Sequence, residues 1–150
     1  MPDLKSVFRN LASFSLGIFF IVIGIQHFTD PDWFEPIVPK IIGNPAFWVY
    51  VSGIFEVVLG VAILHPKWRS WAGKSLAVLL VILYWANLNM WINNIPLDGK
   101  TYANYWHVLR ALAQVLMIAM ALWLSNTFRI TQAAREANLS HNQRYVEDNK

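Results

Sequence analysis

The sequence predicts an all-α fold: a polytopic membrane four-helix bundle with its N- and C-termini in the cytoplasm. Three observations lead to this prediction. Hydrophobic residues make up 56% of the 150 residues and charged residues only 14%, whereas roughly 25% of a typical soluble domain is charged. The few charges leave four windows long enough for a spanning helix, which needs about 20 mostly apolar residues. Basic residues cluster in the segments on one side of the membrane, which gives the orientation of the spans.

Charged residues bound the first two spans. No charge lies between Arg9 and Asp30, which predicts a helix over residues 10–29. Its apolar run is longer than that of a signal peptide and no small-residue cleavage site follows it, so we expect a retained span. The second window contains one charge, Glu56, and predicts a helix over residues 46–64.

The last two spans follow the same pattern. No charge lies between Lys74 and Asp98, which predicts a helix over residues 75–94. The fourth window contains one charge, Arg110, and predicts a helix over residues 104–124. The rest of the chain is too polar to add a fifth span.

The placement of Lys and Arg orients these spans. The N-terminal segment, the loop between the second and third spans and the C-terminal tail are basic, whereas the other two loops carry more acidic than basic residues. Because basic segments stay in the cytoplasm, we expect both termini there. We divide the chain into a membrane domain, residues 1–125, and a polar cytoplasmic tail, residues 126–150.

The loop between the first two spans is unusually apolar for a connector. It contains four prolines together with Trp, Phe, Ile and Val. Pro31 is suited to the first position of a short helical turn, and the later prolines prevent a long one. We expect the loop to lie along the interface or to fold over the mouth of the bundle as a lid. A passive connector is the alternative.

Glycines on the first two spans allow another helix to approach each of them closely. Gly53 and Gly60 flank Glu56 at i−3 and i+4, and Gly17 and Gly24 lie seven residues apart on the first span. Small residues let membrane helices approach closely.

Polar residues within the spans gather toward the outer ends of the helices. Glu56 and Arg110 are the only formal charges there, and their mutual pairing is the simplest hypothesis because an unpaired charge in the bilayer is costly. His107, Arg110 and Gln114 share one face of the fourth helix. We therefore predict one polar pocket in the outer half of the bundle. Its candidate ligand-binding residues are His27, Glu56, Asn87, His107, Arg110 and Gln114.

Each of these residues also has a structural explanation. Glu56 and Arg110 can fix helix packing as a buried pair, Asn87 can join two helices, and the histidines can face solvent or headgroups. A haem held by His27 and His107, or a metal held by these two and Glu56, has no supporting motif. The absence of cysteine excludes thiolate chemistry. The sequence identifies no cofactor, and no basic stretch with interleaved aromatics indicates nucleic-acid binding.

Four short features of the spans carry a family resemblance. They are G-I-Q-H-F at residues 24–28, S-G-I-F-E-V-V-L-G at residues 52–60, W-A-N at residues 85–87 and the spacing from Arg110 to Gln114. Over about residues 8–125 the chain resembles the DoxX-like membrane proteins, a broad group of small four-helix bacterial proteins. The resemblance implies a bacterial inner-membrane location and a shared polar core of Glu56, Asn87 and Arg110, with His27 beside it.

The resemblance also limits the expected function. The name of the group comes from a protein associated with a thiosulfate:quinone oxidoreductase, other members look like accessory or assembly factors, and a thiol-based role does not fit a chain without cysteine. We expect an accessory or small-molecule-binding protein rather than an enzyme. Its ligand would be a quinone or another lipophilic molecule, with Arg110 at an anionic or carbonyl group and Glu56 orienting Arg110.

Partners and alternative functions stay open at this point. Besides the lipid bilayer, the protein can have a membrane protein partner or form a homo-oligomer. One alternative function is a membrane oxidoreductase component acting with quinone, in which the histidines and the acid handle protons. The other is a small transporter, which would need to work as an oligomer because four helices without a visible repeat are few for alternating access.

Overall fold

The computed structural model describes the backbone of residues 3–148 and the side chains of residues 3–126. This part of the chain is helical, and four helices are long and apolar enough to cross a membrane. The predicted all-α class is thereby confirmed, and so is the prediction of four helices of spanning length and composition. The helices are α1 (Leu4–Thr29), the short α2 (Pro31–Phe34), α3 (Pro45–Leu64), α4 (Arg69–Ile92) and α5 (Asn104–Asp148).

Three helix boundaries differ from the prediction, and one of them is the start of α4, which lies at Arg69 rather than at residue 75. α1 begins at Leu4 rather than residue 10, because the Asp3 side chain caps its N-terminus by accepting a hydrogen bond of 3.3 Å from the Lys5 backbone N–H. α5 continues beyond residue 124 to Asp148. The predicted tail therefore extends this helix as far as the backbone is described, to residue 148, and its side chains beyond Asn126 lie outside the described residues.

α1 and α3 approach each other through their glycines, and the structure thereby identifies which helices the glycines bring together. A Cβ atom added to Gly24 would lie 2.8 Å from the carbonyl oxygen of Gly53, and one added to Gly17 would lie 2.8 Å from that of Gly60. Backbones can come this close only where side chains are absent. The two helices therefore form one tightly packed antiparallel pair.

α4 and α5 form the second antiparallel pair, and the two pairs pack around one apolar core. α3 lies beside α1 and α4, whereas α5 lies beside α4 and, less extensively, α1. α3 and α5 therefore face each other across the bundle instead of being neighbours. The largest side chains of this core are Leu16, Phe20, Leu59, Ile63, Leu76, Leu80 and Leu124.

The segment between α1 and α3, residues 30–44 (the lid segment), lies over one end of the bundle, as the lid alternative predicted. Pro31 starts α2 as expected, and two short 3-10 turns follow at Glu35–Ile37 and Lys40–Ile42. Phe34 stacks on His27 with ring centroids 3.9 Å apart, and the Asn89 side chain donates a hydrogen bond of 2.9 Å to the Ile37 carbonyl. We call this end of the bundle the lid end, and the opposite end, which holds the turn between α3 and α4, the turn end.

Candidate functional site

His27 and Glu56 meet at the α1–α3 interface beneath the lid segment. Both are buried, with 6% and 4% of their surfaces exposed, and His27 Nδ1 lies 3.4 Å from Glu56 Oε2. Helical side chains tilt toward the N-terminus of their helix, so the carboxyl of Glu56 points toward the lid end, where α3 begins. We call His27, Glu56 and Phe34 the acid site.

The hydrogen bond of His27 identifies the nitrogen that carries the proton. Nδ1 lies 2.8 Å from the carbonyl oxygen of Ile23. A carbonyl oxygen only accepts, so Nδ1 must be protonated and donate to it, and in a neutral imidazole Nε2 remains an acceptor. Glu56 Oε2 is buried and has no hydrogen-bond partner. The acid site therefore contains a carboxyl oxygen, Glu56 Oε2, whose hydrogen-bonding capacity is unused.

The predicted ion pair between Glu56 and Arg110 is wrong. Arg110 instead donates from Nη1 to the Met90 sulfur at 2.7 Å, and its guanidinium carbon lies 4.7 Å from the ring centre of Tyr102. The physical reason is that α3 and α5 are not adjacent in the bundle. Within residues 3–126, neither of the two formal charges is thus neutralised by the other.

Asn87 and Gln114 join α4 to α5 through hydrogen bonds. Asn87 Nδ2 donates to Gln114 Oε1 at 2.9 Å, and Gln114 Nε2 donates to the Leu80 carbonyl. Gln114 is 4% exposed. We call Leu80, Asn87 and Gln114 the amide network. Asn87 therefore links two helices, which is the structural explanation that the sequence analysis gave for this residue.

His107 also belongs to the α4–α5 pair. It is buried and stacks on Trp91 with ring centroids 5.6 Å apart, so it does not face the headgroups. The six candidate residues therefore divide between the two helix pairs, and no hydrogen bond or ion pair within the described side chains links the two sets. The first set is His27 and Glu56; the second is Asn87, His107, Arg110 and Gln114.

Comparison with protein-family models assigns the chain to a family. A model for a domain of unknown function, DUF8561, matches residues 16–125. The chain belongs to the DUF8561 family. The matched stretch includes both helix pairs and all six candidate residues of this DUF8561 protein. Comparisons with curated proteins and with solved structures found no match.

Two residues important to the DUF8561 protein were not identified from its sequence. Phe34 covers His27 from a loop whose aromatic content predicted a lid but not this contact. Arg69 contributed only to the orientation argument, yet it is 5% exposed and donates to the Ile63 carbonyl at the end of α3 at 3.2 Å. Its position just after a helix C-terminus was the available signal, because basic side chains there can bind the last carbonyls.

Proposed function

We propose that this DUF8561 protein is an accessory membrane protein that binds a lipophilic small molecule at the acid site. Glu56 carries the proposal, because the residue is 4% exposed and its Oε2 atom has no hydrogen-bond partner. More than about nine in ten buried polar groups have such a partner. An exception beneath a lid, beside an imidazole, supports a role in binding.

The surroundings of Glu56 narrow the chemistry of the ligand. The Phe34 ring offers a flat apolar surface next to the polar atoms of His27 and Glu56. A quinone or a similar lipophilic ring suits this combination, since its face can stack while its polar groups form hydrogen bonds. Arg110 near the same end of the bundle has no carboxylate partner in the described residues, and its N–H groups can bind a carbonyl or anionic group.

The family resemblance and the charge distribution support the remaining parts of the proposal. Two of the DoxX-like motifs, residues 24–28 and 52–60, contain His27 and Glu56, and we propose that the protein is a DoxX-like member of the bacterial inner membrane. Lys5, Arg9 and Lys67 near the turn end support a cytoplasmic location of that end and of both termini. An accessory role further implies a membrane protein partner.

A second candidate function is that of a component of a quinone-linked oxidoreductase. The contact between an imidazole and a carboxyl group favours it, because such a pair can accept and release protons as a quinone is reduced. Membranes that contain Glu56→Gln at normal protein levels would then lose quinone reduction, and unchanged reduction would contradict this candidate.

Native mass spectrometry of the gently solubilised full chain tests the binding proposal. We expect the wild-type protein to retain a lipophilic molecule that Glu56→Gln and Arg110→Gln lose. Asp98→Asn is the matched control, because Asp98 is an exposed acid of the loop before α5 and its replacement removes one charge. A wild-type protein without a bound lipophile, or equal retention by all variants, would contradict the proposal.

A further inference from the structure

A second group of unusual polar contacts lies at the turn end, where α1 meets the start of α4. Arg69 is buried and donates to the Ile63 carbonyl at 3.2 Å and to Asn10 Oδ1 at 3.1 Å. The Ser13 hydroxyl donates to the same Ile63 carbonyl at 2.6 Å. The positive charge of Arg69 thus lies at the C-terminus of α3, where the helix dipole favours a cation.

Arg9 is the chain neighbour of Asn10, whose side chain accepts a hydrogen bond from Arg69, so both arginines lie where α1 meets the start of α4. Within the described side chains, Arg9 Nε is buried without a hydrogen-bond partner. Within residues 3–126, no carboxylate forms an ion pair with either arginine. Buried and half-buried charges are normally paired, so this arrangement of two cations lacks an anion.

The depth of the two arginines indicates where the anion comes from. α1 has 26 residues, which gives a length of about 39 Å, and the hydrocarbon core of a bilayer is about 30 Å thick. Arg9 lies in the second turn of α1, just before the charge-free window, and Arg69 is the first residue of α4. Both therefore fall at the level of the phosphate groups of membrane lipids.

The turn end also carries an apolar groove suited to an acyl chain. It lies on the outer face of α3, opens toward the bilayer and has a volume of about 500 Å³. Trp68, which lines it, is the neighbour of Arg69 in the chain. The groove is lined by Val57, Val58, Val61, Ala62, Trp68 and Trp71.

We propose that Arg9 and Arg69 form a binding site for the phosphodiester group of an anionic phospholipid. Arg9 donates hydrogen bonds from its guanidinium, including the unused Nε–H, and Arg69 supplies the second positive charge while it remains bound to the end of α3. The bound phosphate reduces the repulsion between the two cations. This site is at the opposite end of the bundle from the acid site and is independent of the ligand proposed there.

The test uses the full chain in phosphatidylcholine vesicles that contain a minority of phosphatidylglycerol, followed by measurement of the phosphatidylglycerol that stays bound. We expect Arg9→Gln to bind this lipid about fivefold to tenfold more weakly than the wild type, because one basic contact and its charge-assisted hydrogen bonds are lost. Lys74→Gln removes the same charge from an exposed position of α4 and should change binding by less than about twofold.

Two further arms keep the test decisive. Arg9→Lys keeps the charge but removes Nε, so it should bind phosphatidylglycerol more weakly than the wild type and more tightly than Arg9→Gln. Millimolar inorganic phosphate should not displace the lipid. Equal losses in Arg9→Gln and Lys74→Gln would contradict a specific site, because a general basic surface would explain both. Unchanged binding by Arg9→Lys would overturn the role of Nε. Displacement by phosphate would overturn the assignment to a lipid.

Discussion

The α1–α3 pair and the α4–α5 pair hold their polar groups in opposite ways. α1 and α3 pack through glycines and enclose the Glu56 carboxyl, whose Oε2 atom has no hydrogen-bond partner. α4 and α5 enclose the amide network, in which Asn87 and Gln114 bind each other and Gln114 also binds the Leu80 carbonyl. Glu56 and Gln114 are both 4% exposed, so exposure does not explain the difference.

The difference separates polar groups that stabilise the bundle from those available to a ligand. In the hydrocarbon region water does not replace a missing hydrogen bond, so leaving a buried group unsatisfied costs about 1–3 kcal/mol. The amide network avoids this cost, whereas Glu56 incurs it. The α4–α5 contacts therefore stabilise the fold, whereas the unsatisfied carboxyl oxygen of the acid site lowers the free energy of unfolding.

The largest expected effect concerns the glycine packing of α1 and α3. Gly24→Val places its side chain against the Gly53 carbonyl and the Val57 backbone, which lie 2.8 and 2.9 Å from an added Cβ, and should lower the free energy of unfolding by about 3 kcal/mol. Unfolding in a denaturing-detergent titration measures it. Ala113→Val on an exposed position of α5 is the control, and equal stability of the two variants would contradict the packing account.

The next effect concerns the amide network. Gln114→Leu removes the acceptor of the Asn87 amide and the side-chain donor to the Leu80 carbonyl, and we expect a loss of about 1–2 kcal/mol in the same titration. Gln26→Leu is the matched control because Gln26 is an exposed glutamine near the lid end of α1. If both variants lost the same stability, the network would not be a specific link between α4 and α5.

A smaller effect is expected at the lid segment. Phe34→Ala removes the ring stacked on His27 and should lower the free energy of unfolding by about 1 kcal/mol, while it releases the bound lipophile. Phe47→Ala, at a position that is 56% exposed, should retain the lipophile. Retention by Phe34→Ala, measured by native mass spectrometry, would show that the lid segment does not contribute to binding.

The smallest effect on stability is expected at Glu56 itself. Glu56→Leu removes a buried carboxyl that has no hydrogen-bond partner at Oε2, so the free energy of unfolding should change by less than about 0.5 kcal/mol or increase. The same apolar replacement at Gln114 is the direct comparison. A loss at Glu56 as large as that at Gln114 would mean that both helix pairs use their polar groups for structure.

Local sequence patterns were sufficient to predict the helices but not which helices are adjacent in the bundle. Windows with at most one charge predicted four helices of spanning length, the spacing of Gly53 and Gly60 predicted close approach of another helix, and Pro31 predicted the start of α2. The pairing of Glu56 with Arg110 was wrong because it depends on which helices are adjacent. Hydrophobic windows of similar length do not contain that information.

The burial of Arg69 shows the same limit at the turn end. In the sequence, Arg69 is one of several basic residues of a short loop, and the rule for orientation treats these residues alike. The structure distinguishes them, because only Arg69 among the loop residues Lys67, Arg69 and Lys74 is buried and bonded to the end of α3. Such a role depends on how α1 and α3 pack, which lies outside any local pattern.

Infrared spectroscopy of the Glu56 carboxyl tests the central claim most directly. The protein is labelled with carboxyl-13C glutamate, the Glu56 band is identified by subtraction of the Glu56→Gln spectrum, and spectra are recorded before and after addition of the lipophilic fraction extracted from the wild-type protein. We predict that the Glu56 band shifts when the fraction binds, because its carboxyl gains a hydrogen bond. Binding that leaves the band unchanged would contradict the assignment of Glu56 as the ligand-binding group.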